Sequence, residues 1–212
     1  MTTETNKFIK DRIKIFDELI DLRNLSREKN VPIISDEVAS IIRTILKAKK
    51  PKRLLEIGTA TGYSSIFFTM SYEDLKVTTI EKHFDRALEA RRNISDFKME
   101  ERIEILEGDA LDLIPKLDGK YDILFLDGAK SKYKEFLQEA LPFLNNNAII
   151  IADNVLFRGM VAGEVETPKK HRTIVTKLRE FLDEITNNEI YTSSILPIGD
   201  GLSISVYKGE QE

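Results

Sequence analysis

Apolar residues recur along this chain with two periods, and the period switches many times. Over residues 5–23, Phe8, Ile9, Ile13, Phe16, Leu19, Ile20 and Leu22 fall roughly on one side of a helix. A loop, SREKNVPI, follows. Ser35 is a good N-cap, and the second helix it opens ends at Pro51. From there short apolar runs alternate with amphipathic ones. RLLEIG, KVTTIE, RIEILEG, YDILFLDG and NAIIIADN read as strands. Residues 63–71, 83–97, 110–117, 131–144 and 168–187 read as the helices between and after them. IYTSSILPI and LSISVYK are two final strands around Gly199-Asp200-Gly201.

Strands alternating with helices imply a mostly parallel sheet covered on both faces. Only a short turn precedes the last strand. It therefore pairs antiparallel with its predecessor, because a parallel crossover needs a longer connection. The expectation is an α/β, Rossmann-like fold of seven strands with the last one reversed. It forms a single domain, 1–212, in which residues 1–50 are a helical extension.

Composition narrows the chemistry. The 212 residues contain no cysteine, which removes disulfides, thiolate metal sites and a cysteine nucleophile and fits a reducing compartment. No apolar run is long enough to span a membrane, and the N-terminal MTTETNKFIKDRIK lacks the apolar stretch of a secretory signal. A cytoplasmic protein without a membrane partner is expected. The net charge of −4 argues against a generic nucleic-acid binder and leaves room for a local basic patch.

The first strand-to-helix turn reads Glu56-Ile57-Gly58-Thr59-Ala60-Thr61-Gly62-Tyr63-Ser64. In open α/β sheets ligands bind outside the carboxyl ends of the strands. Glu56, Gly58, Gly62 and Ser64 are therefore candidate cofactor contacts. Ala60 and Tyr63 replace the second and third glycines of a dinucleotide fingerprint, and no Gly-Lys-Ser/Thr follows. Glu81 ends the second strand, where a carboxylate can accept hydrogen bonds from ribose hydroxyls. Asp109, followed by Ala110, ends the third and could meet an adenine amino group. Any one of these acids alone reads as a helix cap or loop residue; their succession on consecutive strand ends carries the inference.

Asp127 ends the fourth strand, and Asp153 and Asn154 end the fifth. Two carboxylates and an amide suit a hard six-coordinate ion, Mg²⁺ or Mn²⁺, and the lack of His or Cys disfavours zinc. Lys130, three residues after Asp127, is the candidate general base. After Asn154 comes a basic stretch with Arg158, Lys169, Lys170 and Arg172, in which Phe157 is the main residue able to stack on a base. A second group, Lys47, Lys49, Lys50, Lys52 and Arg53, surrounds a helix C-terminus, where lysines also complement the helix dipole.

At these residues the chain resembles the cation-dependent class I O-methyltransferases, the group that includes catechol and caffeoyl-CoA O-methyltransferases. The segments are EIGTATGYS, IEKHFDRALEARRNI, GDA, LDGAKSKY, DNVLFRGMV and PIGDGLSIS. DNVLFRGMV and PIGDGLSIS look most like the bacterial tRNA 5-hydroxyuridine methyltransferases. The resemblance implies strand order 3-2-1-4-5-7-6 and a homodimer. It implies S-adenosylmethionine contacts at Ile34, Gly58, Ser64, Glu81, Asp109, Ala110 and Asp127, and metal at Asp127, Asp153 and Asn154. One departure is Gly128, where the family commonly has alanine; the lost methyl should loosen that turn slightly. The expected activity is methylation of 5-hydroxyuridine at the tRNA wobble position. The alternatives are a small-molecule catechol or acyl-CoA phenol methyltransferase and a non-catalytic RNA- or nucleotide-binding module.

Overall fold

The computed structural model describes residues 3–187 and 189–209. Residues 1, 2, 188 and 210–212 of the expected domain lie outside the described residues. Three helices lead in: α1 (Thr3–Lys10), α2 (Ile20–Glu28) and α3 (Asp36–Lys49). Then follow β1 (Arg53–Ile57), α4 (Tyr63–Ser71), β2 (Lys76–Glu81), α5 (Phe84–Asp96), β3 (Ile103–Glu107), α6 (Ala110–Leu113) and β4 (Tyr121–Leu126). The chain ends with α7 (Tyr133–Ala140), β5 (Leu144–Asp153), α8 (Arg172–Ile185), β6 (Tyr191–Leu196) and β7 (Leu202–Tyr207).

The strands form one sheet in the order β3-β2-β1-β4-β5-β7-β6. The pairs from β3 to β5 are parallel, and β7 runs antiparallel to both β5 and β6. Alternation along the central strands divides the core. Leu124 and Leu126 face one apolar layer with Tyr133, Leu137, Leu178 and Phe181 of α7 and α8. Ile123 and Phe125 face the other, with Ile42, Leu46, Phe67 and Phe68 of α3 and α4. A strand buried on both faces must be apolar at nearly every position, and ILFL in β4 is. No helix among the described residues is long and apolar enough to cross a membrane.

The expected helix over 5–23 is not continuous. α1 stops at Lys10, a 3₁₀ turn covers Asp17–Leu19, and α2 runs to Glu28, into what reads in sequence as loop. Phe16 is extended, at φ −70° and ψ 127°, and packs edge-on against Phe67 at 5.5 Å, with the Arg43 guanidinium 4.5 Å from its ring centre. The break lets Phe16, Leu19 and Leu22 reach the core while Phe8 stays 57% exposed. A straight amphipathic helix could not divide its apolar stripe in that way. Elsewhere the differences lie at helix ends. Residues 114–116, 130–132, 141–143 and 169–171 tighten into 3₁₀ turns, the second and third flanking α7 and the fourth opening α8.

Candidate functional site

The carboxyl ends of β1, β2, β3 and β4 open into a cavity of about 580 Å³, roofed by Pro32, Ile33 and Ile34 from the segment before α3. Ile34, Gly58, Ser64, Glu81, Asp109, Ala110, Asp127 and Lys130 all line it. Glu56 and Gly62 do not. The Glu56 side chain lies beneath the turn, wholly buried, and its two oxygens accept the hydroxyls of Ser64 and Ser65. Gly62 caps α4 and lets it approach Ala90 of α5. Both shape the turn without facing the space above it.

Gly58 has φ +106°, and a Cβ there would sit 2.7 Å from the backbone oxygen of Asp127. The glycine thus sets how closely the ends of β1 and β4 approach. Gly128 lies across from it. A methyl on Gly128 would stand 3.2 Å from the Ile57 carbonyl, so this turn is already tight without one, contrary to the expected loosening.

Glu81 accepts the backbone N–H of Ala60 at 3.0 Å on one oxygen and that of His83 at 2.9 Å on the other. Its carboxylate is thereby fixed, with further lone pairs open to two hydroxyl donors. Asp109 caps α6 through the Leu111 N–H and pairs with Lys82 at 2.8 Å. The Lys82 bond, followed by the Leu111 N–H, holds its carboxyl below the usual range.

Burial drives the Glu56 carboxyl up from 4.5 to about 7, against the bonds from Ser64 and Ser65. Between those two values the folded protein keeps a proton that the unfolded chain has released. Rising pH across that window therefore erodes stability, by on the order of 3 kcal/mol. Thermal unfolding of the ligand-free protein should show a fall in Tm from pH 5 to 7 that Glu56→Gln makes shallower without abolishing it, since Asp127 is raised over the same window; an equal slope in the variant would place its source elsewhere.

Asp127 and Asp153 follow Leu126 and Ala152, which are partners in the parallel β4–β5 ladder. The two carboxylates thus emerge side by side. Burial raises Asp127 to about 8, opposed by Lys130 and reinforced by Asp153 and Glu56. Asp153 is 4% exposed and is also raised, first by burial, with the Asn154 N–H and Lys130 opposing and Asp200 adding to the rise. The Lys130 Nζ lies 3.7 Å from Asp127 Oδ1. One lysine does not compensate a buried and a half-buried acid, whereas a dication would, so the donor set fits a hard divalent ion. Among the described residues no group of three His, Cys, Asp or Glu side chains is arranged to hold a metal. The third donor would be the Asn154 amide. Asp127 is the one candidate shared by this pair and the cavity.

The loop after β5 is held in a strained form. Asn154, Phe157 and Arg158 all have positive φ, at 57°, 44° and 57°. Non-glycine residues are kept there only when their surroundings over-determine them, and such strain gathers at functional sites. The surroundings here are the β6–β7 turn: Val155 and Leu156 donate to the carbonyls of Gly201 and Asp200, and the Arg158 N–H donates to the Asp200 carboxylate. Tyr133 adds a hydrogen bond to the Asp153 carbonyl at 3.0 Å. Asp200 and Tyr133 are residues that sequence reasoning passed over. An acid between two glycines reads as turn chemistry, and its contact with the fifth strand exists only because β7 is reversed.

Phe157 packs edge-on against His171 at 5.3 Å, which brings the start of α8 to the loop. Arg158, Lys169, Lys170 and Arg172 are exposed, and none forms an ion pair among the described residues. Lys177 and Arg179 of the same stretch are occupied, by Glu180 and by the carbonyls of Met160 and Val161. The other basic group, from Lys47 to Arg53, lies at the amino-terminal end of β1, away from this rim.

A family model described as O-methyltransferase matches residues 10–208. The catechol O-methyltransferase of Niastella koreensis is 28% identical over 204 residues, covering 91% of this chain and 90% of its own. Among solved structures, a Staphylococcus aureus protein provisionally described as a caffeoyl-CoA O-methyltransferase superposes with a TM-score of 0.85. It is 33% identical and covers 91% of this chain and 93% of its own. The SAH-bound methyltransferase PaMTH1 of Podospora anserina shares the fold, with a TM-score of 0.86 at 23% identity over 98% and 97% of the two chains. By its fold and by a match running nearly end to end, this chain belongs to the O-methyltransferase family.

Proposed function

We propose that this protein methylates one of two neighbouring oxygens on its substrate, with S-adenosylmethionine as donor and a divalent ion held by Asp127, Asp153 and Asn154. The observation that carries this reading is the side-by-side pair of Asp127, half-buried, and Asp153, buried, at the edge of the cofactor-sized cavity. S-adenosylmethionine supplies an electrophilic methyl group when bound. A divalent ion supplies stabilisation of the substrate oxyanion, which favours substrates with two vicinal oxygens. The chain does the rest. Glu81 accepts from ribose hydroxyls, Asp109 meets the adenine end, and the Ile34 segment covers the donor and keeps water out. Lys130 Nζ, 3.7 Å from Asp127 Oδ1, is the group placed to receive the hydroxyl proton once it has given up Asp127 as a partner and its own proton has left to solvent.

The substrate we favour is 5-hydroxyuridine at the tRNA wobble position, whose O4 and O5 are such a pair. Exposed and unpaired Arg158, Lys169, Lys170 and Arg172 beside Phe157 support it, since phosphates need cations and an unstacked base needs a ring. Changing Lys169, Lys170 and Arg172 together to Ala should weaken tRNA binding about ten-fold or more and make it less salt-dependent. Turnover of a free catechol should change little. Methylation assays on tRNA and on a catechol, side by side, check this. The second reading, a small-molecule catechol methyltransferase, draws on the similarity to the Niastella koreensis enzyme. It would be favoured by efficient catechol turnover that tRNA does not inhibit. In the organism, a deletion strain whose tRNA gains 5-hydroxyuridine and loses 5-methoxyuridine would support the tRNA reading.

A further inference from the structure

The amino-terminal end of the sheet, opposite the cavity, carries a cationic cleft. Its volume is about 430 Å³, and it is lined by Lys50, Lys52, Arg53, Tyr72, Asp74 and Lys76. The sheet register assembles it: Arg53 and Lys76 are partners across the β1–β2 ladder, one strand spacing apart. In sequence they are 23 positions apart, so the run from Lys47 to Arg53 shows only half of the patch.

Three more cations lie at this end of the sheet. The Lys49 ammonium donates to the Asn147 carbonyl at 2.8 Å, and that of Lys120 to the Pro142 carbonyl. Lys47 lies 5.9 Å from the centre of the Tyr72 ring. Arg53 itself donates to the Asp118 carbonyl and the Tyr121 hydroxyl. These partners are neutral. They hold Lys49, Lys120 and Arg53 in place, and the Lys49 charge also acts on Asp122. The acids nearby are Asp74, which accepts the Tyr72 hydroxyl, its neighbour Glu73, Asp118, whose carbonyl accepts from Arg53, and Asp122, which accepts the backbone N–H groups of Lys52 and Arg53 and keeps its charge. Among the described residues none of Lys47, Lys50, Lys52 or Lys76 forms an ion pair. Helix-dipole complementarity accounts for Lys47 and Lys49 in the last turn of α3. It does not account for Lys76 or Lys120, which belong to other elements.

We infer that this cleft is a second contact for the phosphate backbone of RNA, with Lys50, Lys52 and Lys76 on the phosphates and the Tyr72 ring beside a sugar or base. A local cluster of Lys and Arg side chains on a chain of net charge −4 is the electrostatic footprint of such a partner. β1 is five residues long, which separates the cleft from the catalytic rim by roughly 17 Å. The inference deepens the tRNA reading and gives the substrate a handhold remote from its target base.

The test neutralises Lys50, Lys52 and Lys76 together to Gln, with a triple Lys→Arg variant as control. Binding of tRNA and of a short single-stranded RNA is followed by fluorescence anisotropy across a salt series. We expect affinity to fall about ten-fold or more and the salt slope to become shallower by roughly 2 to 3. The Arg variant should bind as the parent does, and catechol turnover should be unchanged in both. RNA binding unaltered by the Gln changes overturns the inference while leaving tRNA methylation standing. Loss of RNA binding on the Gln changes, where the parent binds RNA but methylates no tRNA, supports the cleft and sinks the substrate reading. A parent that binds anionic vesicles and no RNA overturns the inference.

Discussion

Replacing Asp153 with Ala should lower the rate of methyl transfer at least about 10³-fold while changing the affinity for S-adenosylhomocysteine less than about three-fold. The separation follows from position. Asp153 emerges beside Asp127 but does not line the cavity, whereas Asp127 does. Asp127→Ala should therefore lose both metal and part of the cofactor affinity. Manganese binding followed by electron paramagnetic resonance, with calorimetry of the nucleoside product, reads the two effects independently. Chelation of the parent protein should copy Asp153→Ala and be reversed by Mg²⁺. If Asp153→Ala kept its rate and its manganese affinity, the proposed ligand set would be wrong. Stability should move the other way. Burial already opposes the charged form of this carboxyl. Removing it in the metal-free protein should leave Tm unchanged or raise it, as expected where a site has been kept for function at the expense of stability.

Gly58→Ala should destabilise the fold by about 2–5 kcal/mol and lower Tm by roughly 5–15 °C. Two costs add. The backbone stands at φ +106°, which side-chain-bearing residues rarely adopt, and the new methyl meets the Asp127 carbonyl at 2.7 Å. Neither can be relieved alone, since the turn is bonded to β2 through the Gly58 N–H and the Ile80 carbonyl. The overlap pushes on the residue before Gly128, so methyl transfer should fall beyond what unfolding explains. Calorimetric unfolding and initial rates well below Tm measure the two effects. An unchanged Tm would mean that the β1–β4 crossing is compliant.

The parts of the fold that could be read in the sequence are those where one residue type does one job. ILFL could only be a strand buried on both faces, and a short turn before LSISVYK could only reverse direction. Ser35 was a cap, and the structure has its hydroxyl accepting the Val38 N–H at 3.3 Å. What stayed hidden depends on tertiary contact. The break after Lys10 is decided by the fit of Phe16 against Phe67, which no periodicity records. Glu56 sits in the right segment, yet β-strand alternation points it under the turn toward Ser64 and Ser65. Asp200 becomes part of the site because β7 lies against β5, so an acid 47 positions from Asp153 is electrostatically its neighbour. The second half of the basic cleft was invisible for the same reason: Lys76 joins Arg53 only through the sheet register.

The order of strands has a consequence for how this enzyme can change. The donor cavity is built from the ends of β1, β2, β3 and β4, while the strained loop with Phe157 and Arg158 follows β5 and leans on the β6–β7 turn. The two halves meet at Asp127 and Asp153, and again where Gly199 of the turn packs against Ser35 and Val38 at the start of α3. The loop and its supporting turn thus form an exchangeable cassette. Transplanting residues 154–172 together with 199–201 from a relative of different substrate preference should carry the preference across and leave the donor half untouched. Moving 154–172 alone should fail, because its three left-handed residues would arrive without the turn that holds them.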